Sequence, residues 1–159
     1  MPERKSKRIS ESCTEQIQIV MPGDANGMGR LFGGRLVEWV DIVAAVVARR
    51  HSECPVTTVS IDNLHFKAPA YINETVVLLG RVTHTGRTSI EVRVDTYAEN
   101  LRGERRVINK AYVSMVALDD NEKPTLVPDL ILETDEEKLE WAAGEKRRDF
   151  LKQQRLENF

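Results

Sequence analysis

Along this chain hydrophobic and polar residues first alternate, then recur at helical spacing, then alternate again, and these changes of period divide it into elements. A short run of period two, Gln16-Ile17-Gln18-Ile19-Val20-Met21, reads as a strand that stops at Pro22-Gly23. From about Leu36 to Arg50 the period becomes helical, and at roughly 100° per residue Leu36, Val37, Val40, Val43, Ala44, Val47 and Ala48 share one broad arc. The opposite side is not properly polar, because Trp39, Ile42 and Val46 interrupt Arg35, Glu38 and Arg49. A helix apolar nearly all round is buried on every side, so this one is predicted to be central and wrapped.

After Pro55 the period returns to two over four candidate strands, at 56–68, 74–84, 87–99 and 104–118. His84-Thr85-Gly86-Arg87 and Asn100-Leu101-Arg102-Gly103 have the composition of hairpin connections, which predicts adjacent antiparallel pairs. In the third strand Ile90, Val92, Val94 and Ala98 point to a dry face while Glu91, Arg93, Asp95 and Glu99 point to a wet one. In the first, the apolar phase changes between Val59, Ile61 and Leu64, Phe66, which predicts a bulge near Asp62-Asn63. Pro124 and Pro128 close the strand region, and Thr134 with Glu137 has the spacing of a capping box. The helix that follows carries a narrow apolar seam of Leu139, Ala142, Ala143, Phe150 and Leu151, expected to dock on the body or on a neighbouring subunit. The fold class is therefore α+β. Residues 1–14 read as a disordered lead, 15–130 as the folded domain and 131–159 as a charged C-terminal helix.

The length of 159 residues suits one core rather than two. A net charge of -2, without an aromatic-interleaved basic run, argues against nucleic acid as a partner. Cys13 and Cys54 have neither metal-ligand nor disulfide-framework spacing and are expected to be free thiols. No apolar run is long enough to cross a bilayer and the first residues lack an apolar signal core, so membrane insertion is not expected and the default location is the cytoplasm.

Candidate chemistry gathers where a glycine-studded loop, Pro22 to Gly34, runs into the central helix. Gly33 and Gly34 stand at the helix start, where unpaired N–H groups can hold a carbonyl or phosphate oxygen. Asp41 falls at the rim of the apolar arc, where a carboxylate is costly to desolvate unless it is hydrogen-bonded or functional. Asp24 suits turn chemistry, whereas the Asn26 amide can donate to a carbonyl or orient a water. His51, His65 and His84 are too scattered for a metal cluster or a triad. His65-Phe66-Lys67-Ala68-Pro69 is similar to the His-Phe-Pro segment of acyl-carrier-protein dehydratases, which there precedes the long helix and here follows it. Arg87-Thr88-Ser89 offers a cation and two hydroxyls beside a turn, suited either to an anion or to a solvated hairpin.

Taken together, Asp24-Ala25-Asn26, Gly29, Phe32-Gly33-Gly34, Asp41, Phe66 with Pro69, and Gly86-Arg87-Thr88-Ser89 resemble the hotdog-fold acyl-CoA thioesterases, in the branch of bacterial short-chain acyl-CoA hydrolases and cytosolic acyl-coenzyme A thioester hydrolases. The likeness spans roughly 17–128 in order and spacing. It implies a curved antiparallel sheet wrapped around one long helix, a homodimer joined sheet edge to edge with shared active sites, and often a hexameric trimer of dimers. It implies that Asp41 activates a water or attacks the thioester itself, while Asn26 binds the carbonyl or the water from across the dimer. Backbone N–H groups at Gly33 and Gly34 would hold the oxyanion, and Lys67, Arg87, Thr88 and Ser89 the coenzyme A. No metal or redox cofactor is required, since coenzyme A belongs to the substrate and product. Two other readings of the same residues are a non-catalytic acyl-CoA sensor and an acyl hydratase or dehydratase using His65.

Overall fold

In the computed structural model, which describes residues 3–158, the chain runs β1 (Ser6–Arg8), β2 (Thr14–Ile19), α1 (Gly33–Ser52), β3 (Val56–Asp62), β4 (Thr75–Thr85), β5 (Ser89–Glu99), β6 (Arg105–Ala117), β7 (Asp129–Ile131) and α2 (Asp135–Asn158). The five strands β2, β4, β5, β6 and β3 form one sheet in that order, with every pairing antiparallel. The helix α1 lies across this sheet and touches each of its strands. The predicted arc is the contact face: Leu36, Val40, Val43, Ala44, Val47 and Ala48 are each at most 2% exposed. Each buried Leu or Val of this kind stabilises the fold by roughly 1.5–3 kcal/mol, so the arc fixes how the helix is rotated. The approach is closest at Gly80 of β4, where a β-carbon would come within 2.7 Å of Val43 Cγ1 and 2.9 Å of Val47 Cγ2. No helix among the described residues is long and apolar enough to cross a membrane, which leaves β-barrels unaddressed.

The second side of α1 departs from the expectation of complete enclosure. Trp39 is buried, but Ile42 remains 46% exposed and Val46 half-buried, because one sheet covers only one side of a helix. The edge strand β3 lies beside this open side and exposes Val59.

Further expectations are corrected. Residues 3–14, read as part of a disordered lead, are ordered: β1 pairs in parallel with β7, Ile9 is 3% exposed, and Arg4 donates to Val127 O at 2.9 Å. Backbone pairing with a distant segment leaves no hydrophobic period, so a polar strand of this kind reads as coil. The first long strand ends at Asp62 instead of residue 68, since Asn63 takes a left-handed φ of 64°. The buried Asn109 then holds the departing chain, its Nδ2 donating to His65 O at 2.7 Å. The bulge stands between Thr58 and Ser60, earlier than the phase change suggested.

The wet face of β5 is covered as well, for Glu91 and Asp95 are 8% and 6% exposed beneath α2. Within the chain, Leu139 and Phe150 of the apolar seam do not dock, pointing outward at 72% and 60% exposure where a neighbouring subunit could meet them, while Leu151 lines a cavity. The helix docks through charge. Arg147 donates two bonds to Glu91 at 2.7 and 3.0 Å and lies 3.8 Å from the Tyr112 ring centre. Glu140 takes bonds from Arg81 at 2.5 and 3.1 Å and from Arg93, and Glu145 lies 2.5 Å from His84 Nε2. Burial pushes the Glu140 carboxyl upward, but the two guanidinium groups outweigh it and hold the group below the usual carboxylate range. At Gly144, where a β-carbon would sit 2.7 Å from His84 Cβ, only glycine allows the helix this close. The start of α2 agrees with the capping spacing, as Thr134 Oγ1 accepts from Glu137 N at 3.1 Å.

Candidate active site

The loop before α1 is built by side chains that satisfy its backbone. A 3-10 turn at Pro22–Asp24 is closed by Asp24 Oδ2, which accepts from Met21 N at 3.0 Å, while Arg35 pairs with Asp24 Oδ1 at 3.2 Å. Asp24 therefore does the turn work expected of it. Asn26 Oδ1 accepts from Met28 N at 2.9 Å and Arg30 N at 3.3 Å. These bonds fix the carboxamide and turn its oxygen inward, so the Nδ2 group is the part of the side chain left to donate elsewhere. Gly29, at φ 73°, makes the turn possible.

Phe32 is the N-cap of α1 and gives no side-chain cap, and among the described residues no acceptor takes up the N–H groups of Gly33 and Gly34. Gly33 opens onto a cleft of about 300 Å3, lined also by Asn26, Leu36, Phe66, Lys67 and Ile108. Three of the expected site residues thus meet here: an amide donor, a bare helix start and a lysine. The Phe66 ring stands 3.7 Å from the place a Gly33 β-carbon would take, so the ring packs beside the helix start.

Asp41 is half-buried further along α1, and its Oδ1 accepts the Thr58 hydroxyl at 2.6 Å. That distance is typical of a hydroxyl donating to an ionised carboxylate. Helical rise puts Asp41 about 12 Å from Gly33 along the axis, so the two cannot meet one carbonyl within a single chain. On the same strand as Thr58, Asp62 lies 3.5 Å from Ser60 Oγ, and burial pushes its carboxyl above the ordinary range.

The residues expected to hold coenzyme A are divided. Lys67 lines the Asn26 cleft, whereas Thr88 and Ser89 line a separate cavity of about 250 Å3 beside α2. Arg87 is exposed, its carbonyl receiving Val127 N at 2.8 Å. The His65 side chain is exposed, and among the described residues only its backbone carbonyl is engaged. Among the described residues no group of three or more His, Cys, Asp or Glu could hold a metal ion. Two features were missed in the sequence. Thr58 left no distinct signal, one of several polar residues, with Thr57, Ser60 and Asp62, in the same strand. Arg148, Lys152 and Arg155, which also line the second cavity, carried one in their i, i+4, i+7 spacing on a helix.

Comparison with known proteins bears on this arrangement. A family model described as Thioesterase superfamily matches residues 28–104. An acyl-CoA thioester hydrolase of Bacillus subtilis, itself uncharacterised, is 36% identical over 138 residues, covering 86% of this chain and 80% of that protein. An apo-hexameric acyl-CoA thioesterase superposes with a TM-score of 0.87 at 36% identity, over 94% of this chain and 97% of the other. The acyl-CoA hydrolase of Staphylococcus aureus, in complex with butyryl coenzyme A, coenzyme A and coenzyme A disulfide, superposes with a TM-score of 0.87 at 30% identity, over 96% and 93%. Structures of that hydrolase also exist with one asparagine, one aspartate or one threonine replaced by alanine, at positions spaced as Asn26, Asp41 and Thr58 are here.

Proposed function

Because this chain belongs to the thioesterase superfamily, among its hotdog-fold acyl-CoA thioester hydrolases, we propose that it hydrolyses acyl-CoA to the free acid and coenzyme A at sites shared between two protomers. The observation that carries the shared site is the separation along α1. Donors for an oxyanion cluster at Asn26 and Gly33, while the one carboxylate held ready on that helix lies about 12 Å away. A two-fold pairing through the open side of α1 and the β3 edge brings Asp41 to the partner subunit's Asn26, and the exposure of Ile42 and Val59 there supports it.

In this reading the thioester carbonyl lies in the cleft and accepts from the Gly33 and Gly34 amides and Asn26 Nδ2. Thr58 holds Asp41 Oδ1, leaving Oδ2 to take a proton from a water as that water attacks the carbonyl carbon. The tetrahedral oxyanion gathers charge where donors are already fixed. Its collapse breaks the C–S bond, and the departing thiolate recovers the proton from Asp41. Lys67 stands at the cleft mouth as a cation for the coenzyme, and Arg87, Thr88 and Ser89 serve its nucleotide end. The reaction draws on no metal or redox group, and dimers gather into a hexamer as the apo-hexameric relative does. The enzyme works in the cytoplasm, where Cys13 and Cys54 remain free thiols. Among the described residues the exposed His65 side chain has no partner to set it up as a base, which favours hydrolysis over the hydratase reading.

Mixing variants tests both the residues and the sharing. Asp41→Asn and Asn26→Ala each abolish thiol release from acyl-CoA while leaving the fold intact. Co-refolding the two inactive chains restores about a quarter of wild-type activity, since half of random dimers are mixed and each carries one intact site. No recovery on mixing, or full turnover by the Asp41 variant, rejects the proposal.

A further inference from the structure

The cavity between the β4–β5 hairpin and the second half of α2 is walled by Val59, Thr88, Ser89, Arg148, Lys152 and Arg155, with other residues behind them. Its three cations come from one stripe of the helix. Glu91 also faces the cavity, but Arg147 donates to both of its oxygens at 2.7 and 3.0 Å and neutralises it. Among the described residues no carboxylate forms an ion pair with Arg148, Lys152 or Arg155, in contrast to Arg81, Arg93 and Arg147 on the same surface. Three cations that face one hollow without counter-charge raise its potential and favour an anion there.

The hairpin is shaped for this. A β-carbon on Gly86 would fall 2.5 Å from Ser89 Oγ and 2.8 Å from Arg148 Cζ, so glycine alone lets the guanidinium lie against the turn beside that hydroxyl. Arg4 fastens the same residue from another side, its Nη2 donating to Gly86 O at 2.5 Å. A fixed turn, two hydroxyls and a guanidinium able to donate in a fork are the chemistry of phosphate recognition.

We infer that α2, through Arg148, Lys152 and Arg155 acting with Thr88 and Ser89, binds the phosphates at the nucleotide end of coenzyme A; the inference rests on the thioesterase reading above. The superfamily model ends at residue 104, before α2, while the structural relatives, matched over 94% and 96% of the chain, reach into it. The phosphates take no part in C–S cleavage, so the helix sets affinity and selects the coenzyme over shorter thiols.

Two thioesters that differ only in the nucleotide, butyryl-CoA and butyryl-pantetheine, provide the test. Lys152 and Arg155 are exposed, so the double variant Lys152→Gln, Arg155→Gln is expected to fold. In it the ratio of kcat/KM for butyryl-CoA to that for butyryl-pantetheine falls about tenfold or more, carried by KM. Arg148→Gln lowers the same ratio. Equal changes on both substrates, or no change on either, overturn the role of α2. Should the wild-type chain hydrolyse neither thioester, the thioesterase reading fails, and calorimetry with coenzyme A and pantetheine decides the role of α2 separately. Tighter binding of coenzyme A that the double variant loses supports it, and equal binding of the two ligands overturns it.

Discussion

Replacing Thr58 by valine removes one hydroxyl and keeps the volume and branching of a strand residue. The hydroxyl donates to Asp41 Oδ1 at 2.6 Å, and nothing else in the described structure bonds that carboxylate. A hydrogen bond to a charged partner is worth about 1.5–3 kcal/mol. If it serves to aim the base, the whole of that difference appears in the chemical step, and kcat falls roughly ten- to hundredfold. KM changes little, because Thr58 touches no part of the coenzyme in the proposed pose. Thiol release under saturating acyl-CoA measures kcat, and a melting curve tests the fold, which should persist because Thr58 lies exposed on an edge strand. Thr58→Ser, which retains the hydroxyl, restores most of the rate. A valine variant within twofold of wild type, or a serine variant as slow as valine, would refute the reasoning.

Two further outcomes follow from the way helices meet the sheet. Gly80→Val drives a side chain into Val43 and Val47, which are enclosed and cannot give way; it should cost about 1–3 kcal/mol and lower Tm by roughly 2–10 °C, and an unchanged melt would contradict the close approach. Acid should loosen the fold: burial holds the His51 imidazole below its ordinary value of 6.5, and Arg81 and Arg93 hold Glu140 below the carboxylate range despite its burial. In both cases the unfolded chain binds more protons, so stability is full above the unfolded pKa and is lost as pH falls, first below 6.5 and then through the carboxylate range; a Tm that rose on acidification would contradict this.

Most of the frame was written in periodicity. The arc on α1, the hairpins at 84–87 and 100–103 and the dry face of β5 are local consequences of side-chain spacing, and a helix or strand cannot bury apolar residues that recur at the wrong period. The loop chemistry was legible for the same reason, since Asp24, Gly29 and the paired glycines act on backbone within a few residues of themselves. What remained hidden depends on partners far away in the chain. The pairing of β1 with β7, the exit of the chain at Asn63 and the Thr58 bond to Asp41 each join segments with no shared period. The docking of α2 is the clearest case: Leu139 and Phe150 of its apolar seam face outward while Glu140, Gly144 and Arg147 meet the sheet. Hydrophobic patterning ranks faces by transfer from water, but complementary charges on a neighbouring strand can outweigh that ranking, and only the tertiary structure reveals where those charges stand.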